Sequence, residues 1–157
     1  ARELAELLAT PSREGATVGA HLEKLSLVAN GIRGAAGGRA VAAALPSVPK
    51  LKELDLRDNG LGDAGGRALA EALPSVPKLE ELYLLVNGLG AAGGRAVAAA
   101  LPSVPKLKEE LDLEGNGLGE AGGRAVACCS CRLEKLSLED NGLGAAGGRA
   151  VAAALPS

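Results

Sequence analysis

Leucine and asparagine recur along the chain in one pattern that is repeated five times. The pattern is LxxLxLxxNxL, with Ile at the end of the first copy and one inserted residue in the fourth, and its copies begin at Leu22, Leu51, Leu79, Leu107 and Leu133. Spacings of 29, 28, 29 and 25 residues separate the asparagines that set the register, which are Asn30, Asn59, Asn87, Asn116 and Asn141. Tandem units of this length are typical of repeat proteins, in which each unit is one supersecondary element.

Each unit begins with a pattern that predicts a short strand and continues with one that predicts a helix. In the second unit, residues 54–56 read LDL, the alternation of a strand with one buried face. Gly65, Leu69 and Leu73 then follow at i, i+4 and i+8, the spacing of one helical face, and Pro74 ends the helix. Strands that are joined by helical crossovers run parallel. The pattern therefore predicts an α/β solenoid with a parallel sheet on one side and helices on the other.

The asparagine of each unit lies just after the strand and is predicted to point inward. Its amide is then able to bond the backbone groups of the bend, and stacking of the units repeats these bonds as a structural ladder. Two glycines near the start of each helix lower its helix propensity. We therefore expect packing between units to supply most of the stability.

With five in-phase copies over residues 22–157, the chain resembles leucine-rich repeat proteins. The period of 28 to 29 residues, with GxxxLxxxL in the second half, resembles their ribonuclease-inhibitor-like subclass. The resemblance implies a right-handed α/β horseshoe, with the sheet on the concave face and the helices on the convex face. Residues 1–21 depart from the pattern, and we interpret them as an N-terminal helix, ARELAELL, and an irregular loop, together the remnant of a preceding repeat or a cap. Because the chain lacks an initiator Met and ends within a unit, we expect a fragment or a processed chain.

The fourth unit is the irregular one. Its second half is shortened to VACCSCR, with Ser130 where the other units carry a leucine. We predict that this unit is too short for a full helix and is the weak point of the solenoid, with Cys131 as its most reactive thiol. The cluster Cys128, Cys129 and Cys131 also has soft metal ligands at close spacing, but a fourth ligand is missing, since the single histidine, His21, lies several units away. We therefore predict no metal site and interpret these cysteines as small apolar replacements.

Composition excludes several classes of protein. The chain has 23 Gly, one Tyr and no Phe, Trp or Met, so Leu, Val and Ala must form the core. A net charge of −2 argues against nucleic acid as a partner. The longest apolar runs span about six residues, far short of the roughly 20 that a membrane helix needs, and the N-terminus does not have the pattern of a signal peptide. Few cysteines and no disulfide framework fit a reducing compartment, so we expect an intracellular, cytoplasmic protein.

The motif GxGxxG appears at Gly60–Gly65 and recurs at Gly88, Gly117 and Gly142. A dinucleotide site uses this motif once, whereas here it is in phase with the repeat, so we attribute it to turns and close packing and predict no cofactor; a nucleotide site is the alternative. A single histidine and regularly spread carboxylates offer no base and nucleophile pair, and we predict that the chain is not an enzyme.

One arginine recurs at the start of every helix, and these residues form the arginine stripe: Arg39, Arg67, Arg95, Arg124 and Arg149. We interpret the stripe as a solvated face, with a site for an anion or an acidic partner as the alternative.

Residues that alternate with the strand leucines are predicted to project from the concave side, and we call them the sheet face. In chain order they are Lys24, Ser26, Val28, Glu53, Asp55, Arg57, Glu81, Tyr83, Leu85, Glu110, Asp112, Glu114, Lys135, Ser137 and Glu139. An aromatic and apolar centre with a charged rim is typical of a protein-binding hot spot. The predicted partner-binding residues are Tyr83, Leu85, Asp55, Arg57, Asp112 and Glu114. The alternative is that Tyr83 merely covers the sheet.

The sequence therefore predicts a non-catalytic protein–protein interaction module whose partner is another protein with basic or mixed charge. A second hypothesis is a structural subunit or spacer of a larger assembly that docks through its uncapped ends. A third, by fold analogy alone, is a regulator of a small GTPase, because similar repeats occur in a GTPase-activating protein.

Overall fold

The structure is a computed structural model that describes Thr10, residues 18–129 and residues 132–154. Its sheet has five parallel strands in the order of the chain. The middle leucine of each strand is in register with the middle leucine of the next, as in the pairing of Leu54 with Leu82. The strands are β1 (Lys24–Ser26), β2 (Glu53–Asp55), β3 (Glu81–Tyr83), β4 (Glu110–Asp112) and β5 (Lys135–Ser137).

Each strand is followed by a helix of 11 residues. The first three helices end where the sequence LPS forms a short 3₁₀ turn, because proline lacks the N–H that another α-helical turn needs. A further 3₁₀ turn, Val18–His21, precedes the first strand. The helices are α1 (Gly34–Ala44), α2 (Gly62–Ala72), α3 (Gly90–Ala100), α4 (Gly119–Cys129) and α5 (Gly144–Ala154). This alternation confirms the predicted α/β solenoid.

The core is a stack of leucine layers between the sheet and the helices. In the interior repeats Leu54, Leu82 and Leu111 are completely buried, whereas Leu25 and Leu136, in the first and last repeats, are only partly buried. Burying one leucine contributes about 1.5–3 kcal/mol, so each interior repeat is stabilised by both of its neighbours.

Glycines bring neighbouring helices into unusually close contact. A Cβ atom at Gly38 in α1 would lie 2.3 Å from the Cα of Gly65 in α2. A Cβ at Gly94 in α3 would lie 2.4 Å from Cδ2 of Leu118. The first two glycines of the GxGxxG motif, Gly60 and Gly62, have positive φ angles of +67° and +65° and shape the turn before the helix. Turn geometry and close packing therefore account for these glycines.

The asparagines form a hydrogen-bonded ladder along the solenoid. The Nδ2 atom of Asn87 donates to the carbonyl oxygens of Leu56 at 2.9 Å and Leu84 at 3.0 Å, and its Oδ1 accepts from the backbone N–H of Leu61 at 3.3 Å. The side chain thus bonds both its own repeat and the preceding one. Asn59, Asn116 and Asn141 make the same kinds of bond, and these four side chains are buried, whereas Asn30 is exposed.

The fourth unit corrects one prediction. Helix α4 has 11 residues, the same length as the other helices, so the prediction that this unit is too short for a full helix is wrong. The 25-residue step instead comes from the connection between helix and strand, where three residues, SCR, stand in place of the six residues LPSVPK of the other units. The predictions for Ser130, Cys131 and the ARELAELL helix fall outside the described residues.

Candidate functional site

The sheet face is the side of the sheet that is turned away from the helices. Strand residues alternate between the two sides of a sheet, so the residues between the buried leucines lie on this face. Of the predicted partner-binding residues, Tyr83, Leu85, Arg57, Asp112 and Glu114 are partly exposed. Asp55 differs, since only 4% of its surface is accessible.

Tyr83 lies at the centre of the sheet face and its ring is held in place from two sides. Its hydroxyl donates to the carboxylate of Glu81 on the same strand and lies 3.2 Å from Oε2 of Glu110 on the next strand. Partial burial, together with the negative charge of these two carboxylates, raises the pKa of the Tyr83 phenol above its ordinary value. The phenol is therefore a neutral hydrogen-bond donor at physiological pH.

Arg57 contacts Tyr83 from the preceding repeat, two residues after the end of β2. Its guanidinium carbon lies 5.3 Å from the centroid of the Tyr83 ring, within the range of a cation–π interaction. The same guanidinium makes a two-pronged bond to Asp55, with Nε 2.9 Å from Oδ1 and Nη2 2.6 Å from Oδ2. Since Asp55 is buried, its role on the face is to orient Arg57, whose side chain is 43% exposed and within reach of a partner.

Ion pairs occupy both ends of the sheet face. Lys24 Nζ lies 2.6 Å from Oε2 of Glu53, and Lys135 Nζ lies 2.5 Å from Oε1 of Glu110. Hydrogen bonds to these carboxylates raise the pKa of both lysines. Because both ammonium groups are largely exposed, such pairs contribute little to stability, although they limit the net charge at the two ends.

The part of the sheet face nearest the C-terminal repeats carries unbalanced negative charge. Asp112, Glu114 and Glu139 form no ion pair within the described residues. Partial desolvation, followed by repulsion from Glu139, Asp112 and Asp140, raises the pKa of Glu114. A cationic group placed here would relieve this repulsion.

Val86 is an exposed apolar residue at the rim of the sheet face, directly after Leu85. Half of its surface is accessible, and its φ angle is +53°. A β-branched side chain is strained in this left-handed region. The corresponding residues in the other repeats are Ala29, Asp58, Gly115 and Asp140, and all of them are small or short and polar. The predicted partner-binding residues do not include Val86. Aligning the repeats would have indicated it, because it is the one bulky apolar residue at this position.

The other candidate groups are dispersed. Cys128 is exposed and Cys129 is partly buried. Within residues 18–129 and 132–154, no three His, Cys, Asp or Glu side chains are grouped closely enough to hold a metal ion. His21 lies 3.2 Å from the ammonium group of Lys50. None of the helices in this part of the chain has both the length and the apolar character that crossing a bilayer requires.

A protein-family model described as "Leucine Rich repeat" matches residues 49–70, 109–127 and 129–152. The first matched segment includes β2 and most of α2, the second includes β4 and most of α4, and the third includes β5 and most of α5. No curated protein matches the chain. The matched model describes leucine-rich repeats in general, so the ribonuclease-inhibitor-like subclass stays a prediction.

Proposed function

The chain is a leucine-rich repeat protein, and we propose that it binds a partner protein through its sheet face without a catalytic role of its own. Leucine-rich repeats are generally protein-interaction modules and typically non-catalytic. The observation that carries the proposal is the group formed by Tyr83, Leu85 and Val86, which is aromatic and apolar and is surrounded by charged residues. An apolar centre within a charged rim is the usual anatomy of an interface hot spot.

The centre of the sheet face is ordered before any partner arrives. The Tyr83 ring is held by a hydrogen bond to Glu81 and by the guanidinium of Arg57, which Asp55 in turn orients. Because these side chains are already immobilised, binding costs less conformational entropy than it would on a mobile surface. Tyrosine and arginine are also among the residues that contribute most at protein interfaces.

Charge determines the kind of partner that fits. Asp112, Glu114 and Glu139 leave negative charge unbalanced on one side of Tyr83, whereas on the other side the charge of Arg57 is balanced by Asp55. We expect the partner to place an apolar side chain against Tyr83 and Leu85 and to direct basic side chains toward β4 and β5. Such charge complementarity mainly increases the rate of association and the specificity.

The test is a pull-down from the source cells with the parent chain and with a Tyr83→Ala/Leu85→Ala variant as bait. A protein that the parent retains and the variant loses is then purified, and its affinity for both baits is measured by titration calorimetry. We expect the double substitution to weaken binding by about 2 kcal/mol or more, because it removes the centre of the contact.

The matched control is Val28→Ala, which shortens an exposed apolar residue of the same face in the first repeat. This control should bind like the parent. All variants should melt at nearly the same temperature, since none of the substituted side chains is completely buried. Equal affinity of the parent and the double variant for the partner would refute the proposed site.

A further inference from the structure

The arginine stripe lies on the helices, on the opposite side of the solenoid from the sheet face. Each of its members is the sixth of the 11 residues of its helix, so the stripe lies at the middle of the helices and not at their starts as predicted. The five side chains form one row along the molecule. All five are exposed. None of them makes an ion pair or a hydrogen bond to another side chain among the described residues. Arg57, by contrast, is bound to Asp55.

The described surface between the first two helices of the stripe consists mainly of arginine and alanine side chains. The depression between α1 and α2 is lined by Arg39, Ala64, Arg67, Ala68 and Glu71. The helices carry three carboxylates against five arginines, and one of them, Asp63, accepts a hydrogen bond from the backbone N–H of Gly93 at 3.2 Å. The helical side is therefore positively charged, although the whole chain has a net charge of −2.

The fold sets the spacing of these charges. Packed helices lie about 8–10 Å apart, and glycine contacts such as that between Gly38 and Gly65 keep neighbouring helices close. The row therefore presents one guanidinium about every 9 Å. A peptide in the polyproline conformation rises about 3.1 Å per residue with three residues per turn, so every third side chain lies on one face with about the same spacing.

We propose that the arginine stripe is a second binding surface, which takes an extended acidic segment of a partner protein with a carboxylate at about every third residue. Guanidinium suits this ligand because its planar fork binds a carboxylate through two parallel hydrogen bonds, which an ammonium group cannot do. Each helix contributes a single arginine to the stripe, so the charges lie along a line. This arrangement suits a linear chain better than a broad, flat surface. This surface is separate from the sheet face, so both can be occupied at the same time.

Two other polyanions fit the surroundings less well. Single-stranded nucleic acid is usually bound with aromatic stacking, and the single aromatic residue of the chain, Tyr83, lies on the opposite face. A bilayer surface is usually bound with bulky apolar side chains that insert among the lipids. Between the arginines the depressions are instead lined largely by alanine.

The experiment compares two labelled 15-residue peptides by fluorescence anisotropy. One carries glutamate at every third position among serine and proline, and the other has the same composition with its five glutamates in one block. The proteins are the parent, an Arg67→Gln/Arg95→Gln/Arg124→Gln variant, and a Lys50→Gln/Lys78→Gln/Lys106→Gln variant that loses the same charge from the turns before the strands. Circular dichroism establishes that each variant is folded.

We expect the parent to prefer the spaced peptide over the block peptide. The triple arginine variant should bind the spaced peptide at least about tenfold more weakly, since three exposed charge pairs each contribute a few-fold. The triple lysine variant should lose less than about threefold, because its charges act only from a distance. Equal losses in the two variants, or equal affinity for the two peptides, would overturn the proposal.

Glu71→Ala provides a test in the opposite direction. Glu71 places a negative charge in the same depression as Arg67. The corresponding residues of the other repeats are uncharged: Ala43, Ala99, Cys128 and Ala153. Removing its charge should strengthen binding of the spaced peptide, and unchanged or weaker binding would count against the proposal. Stronger association of the parent with phosphatidylserine vesicles or with an oligothymidine strand than with the spaced peptide would also overturn it.

Discussion

The side chain of Asn87 is completely buried and uses its amide to join two repeats. The turn after each strand exposes backbone carbonyl and N–H groups toward the core, where water cannot reach them. An asparagine amide offers both a donor and an acceptor on a short side chain, and it is able to satisfy several of these groups at once. Losing it leaves the buried N–H of Leu61 without a partner, which costs more than the bond itself contributes.

We expect Asn87→Ala to lower the free energy of unfolding by roughly 3 kcal/mol, because it leaves the buried N–H of Leu61 without its partner and removes one of the two asparagine bonds to each of the carbonyls of Leu56 and Leu84. The matched control is Asn30→Ala, at the exposed end of the ladder, where the side chain bonds the carbonyl of Val28. That substitution should cost less than about 1 kcal/mol. Urea denaturation followed by circular dichroism measures both. Similar losses at the two positions would show that the interior ladder does not stabilise the fold as we describe.

Tyr83 permits a direct titration because it is the single tyrosine of the chain. We expect its phenolate absorbance at 295 nm to appear only well above pH 10, since burial and the carboxylates of Glu81 and Glu110 raise its pKa. The same titration in urea should return the ordinary value of about 10. Glu81→Gln should lower the pKa of the folded protein part of the way, because it removes one negative charge. A midpoint near 10 in the folded parent would contradict the geometry.

The same shift has a consequence for stability. The pKa of Tyr83 is higher in the folded than in the unfolded chain, so the folded state holds the phenol proton more tightly. The resulting stabilisation is fully present below the unfolded pKa of about 10 and is lost as the pH rises above that value. We therefore expect Tyr83→Phe to reduce the steepness with which stability falls above pH 10, as measured by urea denaturation across this range.

At the scale of elements, the helices depend on glycine for their packing. Gly38 and Gly148 are the same position of the repeat, in α1 and α5 respectively. A Cβ at Gly38 would lie 2.3 Å from the backbone Cα of Gly65, whereas a Cβ at Gly148 would meet nothing within 4 Å. Backbone cannot move aside as a flexible side chain does. Alanine at Gly38 therefore changes both helix packing and helix propensity, whereas alanine at Gly148 changes helix propensity alone.

We expect Gly38→Ala to destabilise the chain by about 1–3 kcal/mol, because the added methyl group forces α1 and α2 apart. Gly148→Ala should be neutral or stabilise the chain by up to about 1 kcal/mol, since alanine has the higher helix propensity. Thermal melts followed by circular dichroism should show a lower melting temperature for Gly38→Ala. For Gly148→Ala the melting temperature should be unchanged or higher. A loss of the same size in both variants would mean that close helix packing is not the cause.

Helix α4 keeps its full length although the connection after it is three residues shorter than in the other repeats. Its first nine residues, GEAGGRAVA, retain the glycine pair and Val126, which pack against the neighbouring helices and the core. The shortened step affects only the connection from α4 to β5. The length of a helix in this fold therefore depends on the contacts of its inner face rather than on the spacing between asparagines.

At the scale of the whole molecule, stability is distributed along the stack because each repeat contacts only its neighbours. The backbone N–H of Leu84 donates to the backbone carbonyl oxygen of Asp112 at 2.9 Å. That of Leu27 donates to the backbone carbonyl oxygen of Asp55 at 2.8 Å, so the two amides make equivalent bonds. Leu84 is completely buried, whereas Leu27, in the first repeat, is only partly buried. Differences between these amides therefore report packing rather than hydrogen bonding.

We expect the Leu84 amide to exchange with deuterium at least about tenfold more slowly than the Leu27 amide, because opening an interior repeat disrupts two interfaces. Hydrogen exchange followed by NMR measures both rates in one sample. Equal protection of the two amides would indicate that the stack opens as a single unit.

The division of charge also belongs to this scale. On the sheet face acidic residues outnumber basic ones, whereas on the helices the arginines outnumber the acidic residues. Because the two groups lie on opposite sides of the solenoid, they do not neutralise each other. The nearly balanced total charge of −2 thus conceals two surfaces of opposite sign.

The sequence by itself determined the repeat, the order of the elements and the position of each asparagine. These follow from local periodicity, since a strand repeats every two residues and a helix about every 3.6, and five copies reinforce the signal. It also placed Tyr83 on the outer side of a strand, because the leucines on either side of it must point inward.

The tertiary structure alone decided what these side chains contact. Tyr83 meets Glu110 and Arg57, which are 27 and 26 residues away in the chain, and these contacts exist only after the repeats are stacked. Stacking also buries Asp55 and exposes Val86 in a strained conformation. Periodicity specifies the face on which a residue lies, whereas its partners depend on how neighbouring repeats pack together.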